Sequence, residues 1–175
     1  NGITDHAFYT QAIQGKTSAL FELPVMGAAL LAGHSREDAQ NISTPFTSLG
    51  MLFQMQDDVL DLFGDKGRGE VGADLKEGKI SALVVEHLLL HPDDSDSLLT
   101  LLRTPRDETS DADVMAWIGH FRERGALEGG LNRIRTSAND AQGHPVLTDY
   151  PKLKDALNDL VEVILKPIEH VMTSA

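Results

Sequence analysis

The 175-residue chain contains no cysteine. That excludes a disulfide framework and a thiolate zinc site, and it fits a cytoplasmic protein. No apolar run approaches the roughly 18 residues needed to cross a bilayer, and no signal-peptide pattern is visible. Strand-length alternation of apolar and polar residues is missing, as are internal repeats and low-complexity segments. Positive charge is scarce: 15 Lys and Arg face 27 Asp and Glu, for a net charge of −12. Such a balance argues against a general nucleic-acid or anionic-membrane surface. An anionic substrate stays open, because a bound metal reverses the local sign. What is present is an ordinary globular composition, 41% hydrophobic, long enough for one domain with a sizeable core.

The apolar spacing is helical throughout. Asp5 is placed to cap a helix carrying Phe8, Tyr9, Ala12 and Ile13, which Gly15-Lys16-Thr17 should interrupt. Residues 18–32 are apolar on nearly every side, so that helix is expected to be buried, with Pro24 kinking or restarting it. Gly33 is a stop signal, and Ser35 with Asp38 forms a capping-box pattern opening a long helix over about 36–63, bent near Pro45. A Gly-rich loop, residues 64–73, leads to an apolar helix over 80–90 that ends at His91-Pro92. His87 reads as a surface or core histidine without a role. Asp93 to Asp96 reads as the acidic first turn of another helix, favoured there by the helix dipole. Further helices are expected over 98–102, 114–124, 126–139 and 153–171, the last bent at Pro167.

The most informative stretch is 50–63. On a helical wheel with Asp57 at zero, Asp61 falls at about 40°, Gln54 at about 60° and Asp58 at about 100°, while Leu52, Met55, Val59 and Leu62 occupy the opposite side. Asp57 and Asp61 are like charges one turn apart, which costs an isolated helix a few tenths of a kcal/mol. A divalent cation offsets that repulsion, and Mg²⁺ is typically held by one or two carboxylates plus substrate phosphates. Gly50 falls on the same side, where it leaves room for a ligand or for a neighbouring helix. Two phosphate and metal motifs fail. Thr10 stands where a P-loop needs its first Gly, and Phe63 and Gly72 stand where a calcium loop needs ligands.

Phe53-Gln54-x-x-Asp57-Asp58-x-x-Asp61 resembles the second aspartate-rich motif of the trans-prenyltransferases, the polyprenyl diphosphate synthases. Gly72-Ala73-Asp74-Leu75-Lys76-Glu77-Gly78-Lys79 and Lys16-Thr17 resemble two further motifs of that family, in the family's order. The resemblance implies an all-α bundle of antiparallel helices around a pocket, with residues 1–175 forming the C-terminal part of one such domain. It implies Mg²⁺-dependent transfer of an allylic prenyl group to isopentenyl diphosphate, giving a farnesyl- or geranylgeranyl-type product. By position, Asp57, Asp58 and Asp61 would bind metal, and Lys16 and Lys79 would contact diphosphate. Thr17 and Gln54 would face the allylic cation. A cytoplasmic homodimer is expected, with allylic and isopentenyl diphosphates as its small-molecule partners.

Two departures stand out. Glu70 occupies the loop position where the family usually has Lys, so Lys66 or Arg68 would have to supply that diphosphate contact. The family's first aspartate-rich motif is absent, so the 175 residues alone are expected to be inactive. A non-catalytic regulatory subunit or a helical interaction module with the same fold remains the alternative. A terpene cyclase is disfavoured, because Asn158-Asp159 lacks the Ser that its metal motif needs.

Overall fold

The computed structural model describes residues 6–64 and 70–174, and all regular structure among them is helical. The order is α1 (His6–Ile13), a π-helical turn (Gln14–Ser18), α2 (Ala19–Leu31), α3 (Arg36–Phe63), α4 (Ala73–Lys76), α5 (Ala82–Leu90), α6 (Ser95–Arg103), α7 (Asp111–Glu123), α8 (Ala126–Gln142), α9 (Pro151–Leu165) and α10 (Glu169–Ser174). Short 3₁₀ turns precede α6, α9 and α10. The chain forms two compact units. One contains Asn1–Tyr9, Met55–Asn132 and Pro167–Ala175, and the other Thr10–Gln54 and Arg133–Lys166. The expected Asp5 cap lies outside the described residues.

In the first unit, α5 is buried from Ala82 through Leu88 as its largely apolar sequence requires, while Leu89 and Leu90 at its end are exposed. Helix α8 comes so close to it that a Cβ on Gly130 would lie 2.8 Å from Leu83 Cδ2. Val114, Ile118 and Phe121 of α7 and Leu98 of α6 complete this core. The motif glycines 72 and 78 are backbone requirements: both have positive φ, and a Cβ on Gly78 would overlap the Leu102 carbonyl.

In the second unit, Val25, Met26 and Ala29 of α2 pack on Ala39 and Ile42 of α3, with Val146, Tyr150 and Leu153 beside them. Ser35 opens α3 as its sequence pattern predicts, its Oγ accepting from the Asp38 amide (3.1 Å) and donating to the Asp38 carboxylate (2.7 Å). Two expectations are corrected here. The helix does not break at Gly15-Lys16-Thr17; it widens into a π turn and runs on into α2, with Pro24 inside it. Helix α2 is also not buried. Ala29 is its one buried residue, while Leu20, Leu23 and Leu31 are 71%, 62% and 92% exposed. All-round apolarity names no direction, and the described chain covers α2 only on the side of Val25, Met26 and Ala29.

Candidate active site

The acidic end of α3 lies in the first unit, and its three carboxylates have different surroundings. Asp57 is exposed and Asp61 half-buried, while Asp58 is only 3% exposed. A buried carboxylate requires donors, and Asp58 has two on its Oδ2: the Tyr9 hydroxyl at 2.6 Å and the Ala82 amide at 2.6 Å. Ala82 is the first residue of α5, so Asp58 also lies at the positive end of that helix. Burial, followed by the charge of Asp58, pushes the Tyr9 hydroxyl above its ordinary range. Asp61 accepts from the Asp74 amide at 3.2 Å, and its backbone carbonyl accepts from the Gly72 amide at 2.9 Å. Its pKa is pushed up to about 6, first by burial and then by the charges of Asp74 and Asp57 against the lowering effect of the amide and Lys79. The Gly72–Lys79 motif is therefore folded against the carboxylate face.

Lys79 is held by Asp74 (2.5 Å) and Glu77 (2.9 Å), bonds that raise its pKa. Lys76 of the same motif is only 8% exposed and donates to Glu70 and Asp111. Arg106 bridges Glu77 (2.6 Å) and Glu70 (3.2 Å). Glu70 thus has two cationic partners, and both hold its carboxyl below the usual range. Lys66 and Arg68, expected to compensate for Glu70, lie outside the described residues.

In the second unit, the π turn carries Lys16 and Thr17. π turns are rare and collect at functional sites. Lys16 is exposed, whereas Thr17 is buried and donates its hydroxyl to Gln54 Oε1 at 2.9 Å. Ser18 is fully buried against Gly50, where a Cβ would overlap the Ser18 Cα. Of the two readings of Gly50, close helix packing is therefore the one observed.

Among the described residues no three His, Cys, Asp or Glu side chains form a set able to hold a metal alone. Asp57 and Asp61 still suit a hard cation. They offer oxygen donors only, and they are like charges one turn apart on α3. Sequence reasoning missed Tyr9, Asp74 and the partners of Glu70. The available signal for Tyr9 was chemical: a tyrosine on an apolar helix face needs a partner for its hydroxyl.

Residues 2–119 match the family model for polyprenyl synthetases. A short chain isoprenyl diphosphate synthase from Methanocaldococcus jannaschii is 37% identical over 97 residues, 54% of this chain and 30% of that protein. Farnesyl pyrophosphate synthase 1 of Parthenium argentatum is 29% identical over 157 residues, 88% of this chain and 46% of that protein. The polyprenyl synthase of Caulobacter crescentus CB15, solved with calcium and isoprenyl diphosphate, superposes with a TM-score of 0.78 at 25% identity, over 92% of this chain and 49% of that one. The chain thus spans less than half the length of each of these three proteins.

Proposed function

The chain belongs to the polyprenyl synthetase family, and from that premise we propose that it serves transfer of an allylic prenyl group to isopentenyl diphosphate. The reaction breaks the allylic C–O bond, whose electron pair leaves with pyrophosphate. The alkene of isopentenyl diphosphate supplies the pair for the new C–C bond, and a proton is then lost. The observation that carries the reading is the pair of carboxylates, exposed Asp57 and half-buried Asp61, one turn apart on α3 within the matched segment. They would hold Mg²⁺, which when bound draws charge off the leaving diphosphate.

Other residues of this chain would contribute as follows. Thr17 donates a hydrogen bond from its hydroxyl to Gln54, which leaves the hydroxyl lone pairs for an allylic cation. Exposed Lys16 would meet diphosphate. Lys79 would do so only by releasing Asp74 or Glu77, its present partners. Asp58 is closed off by Tyr9 and Ala82 and is assigned below. A farnesyl- or geranylgeranyl-type product, a cytoplasmic homodimer and an inactive isolated 175-residue chain complete the proposal. A regulatory subunit is the second reading, favoured by Glu70, whose carboxylate replaces a diphosphate-binding cation and is tied to Lys76 and Arg106.

The test is calorimetry on the complete protein and its Asp57→Ala variant, titrating Mg²⁺ with and without inorganic pyrophosphate. Pyrophosphate-dependent binding that Asp57→Ala abolishes is expected, together with prenyl transfer by the wild type. Equal binding by both proteins would refute the metal assignment.

A further inference from the structure

Asp58 is the member of the aspartate triplet that solvent does not reach. It is 3% exposed, and its Oδ2 accepts two short hydrogen bonds from residues far away in sequence, the Tyr9 hydroxyl and the Ala82 amide. An ion approaching from solvent meets Asp57 and Asp61 and has no path to a carboxylate enclosed in this way. The three residues belong to one unit and sit on three different helices: Tyr9 on α1, Asp58 on α3 and Ala82 at the first turn of α5. Rotation of α3 about its axis would break both bonds at once. Asp57 and Asp61 are the immediate neighbours of this clamp in the same helix, so it also fixes the direction in which they face.

We infer that Asp58 is a positioning residue: with Tyr9 and the α5 amide it locks the rotation of α3 so that Asp57 and Asp61 present their oxygens together. The inference rests on the proposed function, since it concerns the aim of the carboxylates that reading uses. It separates two roles that the triplet's spacing leaves merged. A ligand needs charge at position 58, whatever group orients it. A clamp needs an acceptor at 58, which asparagine also supplies, and it needs the hydroxyl.

The experiment compares Asp57→Asn, Asp58→Asn, Asp58→Ala and Tyr9→Phe in the complete protein. Three readouts are taken: kcat for prenyl transfer, the Mg²⁺ affinity measured calorimetrically with inorganic pyrophosphate, and hydrogen exchange of the peptide containing Ala82. The clamp predicts that Tyr9→Phe lowers kcat about tenfold, the scale for lost orienting partners of metal-site groups. It also predicts faster exchange at Ala82 in Tyr9→Phe, and a larger defect for Asp58→Ala than for Asp58→Asn. Asp57→Asn should weaken Mg²⁺ binding most and leave Ala82 exchange unchanged. The inference is overturned if Asp58→Asn weakens Mg²⁺ binding as much as Asp57→Asn while folded Tyr9→Phe keeps the wild-type kcat. Tyr9→Phe removes a single oxygen, and a folded variant that keeps the wild-type kcat and Ala82 exchange overturns the inference even where an Asp58 variant does not fold. A wild-type protein without prenyl transfer would instead refute the proposed function, and the inference with it.

Discussion

Gly27 and Gly50 both lie inside helices, yet alanine should shift stability in opposite directions at the two. Nothing lies within 4 Å of a Cβ built on Gly27. Gly27→Ala should therefore gain the ordinary helix-propensity difference, about 0.8–1 kcal/mol. A Cβ on Gly50 would overlap the Ser18 backbone, which has no flexible end to move aside. Overpacking of that kind costs roughly 1–3 kcal/mol and outweighs the propensity gain. Urea unfolding of the two variants should give opposite signs. His87 yields a second prediction at this scale. It is fully buried, its Nε2 lies 2.7 Å from Asp94, and its Nδ1 has no partner. The neutral Nε2–H form, donating to Asp94, satisfies the one acceptor in reach. Burial lowers the His87 pKa, against the raising effect of Asp94, while His91 and Arg124 lower it further. At this group the unfolded chain then binds more protons around the free histidine pKa of about 6.5, so the His87 contribution to stability rises with pH through that window and is lost on acidification. Asp94, lowered first by its bond to His87, loses its contribution only in stronger acid. His87→Gln keeps a donor and does not titrate, so the rise contributed by His87 should be lost in the variant, leaving the opposite, falling slope of Asp61, whose pKa is pushed up to about 6. A slope equal to that of the wild type would refute the assignment.

At the scale of elements, periodicity placed the helices because burial of one face repeats every 3.6 residues. Helix α3 runs over Arg36–Phe63 as its Ser35 and Asp38 signals indicated. The π turn was not legible: Gly15 within a polar run reads as a break, whereas the helix continues through it as a π turn. The carboxylate face was legible from spacing, but its division into exposed Asp57 and clamped Asp58 was not. Periodicity gives a residue's face and never its partner. Glu70 makes the same point. Its sequence context marks a missing cation, whereas the structure shows a hub joining Lys76 of α4 to Arg106, with Asp111 of α7 also on Lys76. Glu70→Lys would set a third cation against these two. The variant should melt below the wild type, and the gap should narrow as salt screens the repulsion. A salt-independent difference would show that charge is not its cause.

At the scale of the whole chain, the surface of α2 decides behaviour in solution. Leu20, Leu23, Leu30 and Leu31 are exposed and recur at i, i+3, i+10 and i+11, with Gly27 at i+7, so they form one stripe along the helix. Contiguous apolar surface of this kind is rarely left in water. The net charge of −12 opposes association over the molecule as a whole. It acts weakly at this stripe, because Glu22 is the single ionisable residue in α2 and charges beyond about 10 Å are screened at ordinary salt. The hydrophobic term therefore prevails locally, and residues 1–175 expressed alone should self-associate through α2. Light scattering of that chain should give a mass above 19.0 kDa. Leu23→Lys combined with Leu31→Lys, both at exposed positions, should return it to a monomer without loss of helix content by circular dichroism. The same sample assayed with allylic and isopentenyl diphosphates should show no turnover, because the single aspartate motif on α3 supplies two outward carboxylates and no third metal-binding partner among the described residues. A wild-type monomer would refute the role of α2, and turnover by that monomer would also refute the expectation that the isolated chain is inactive.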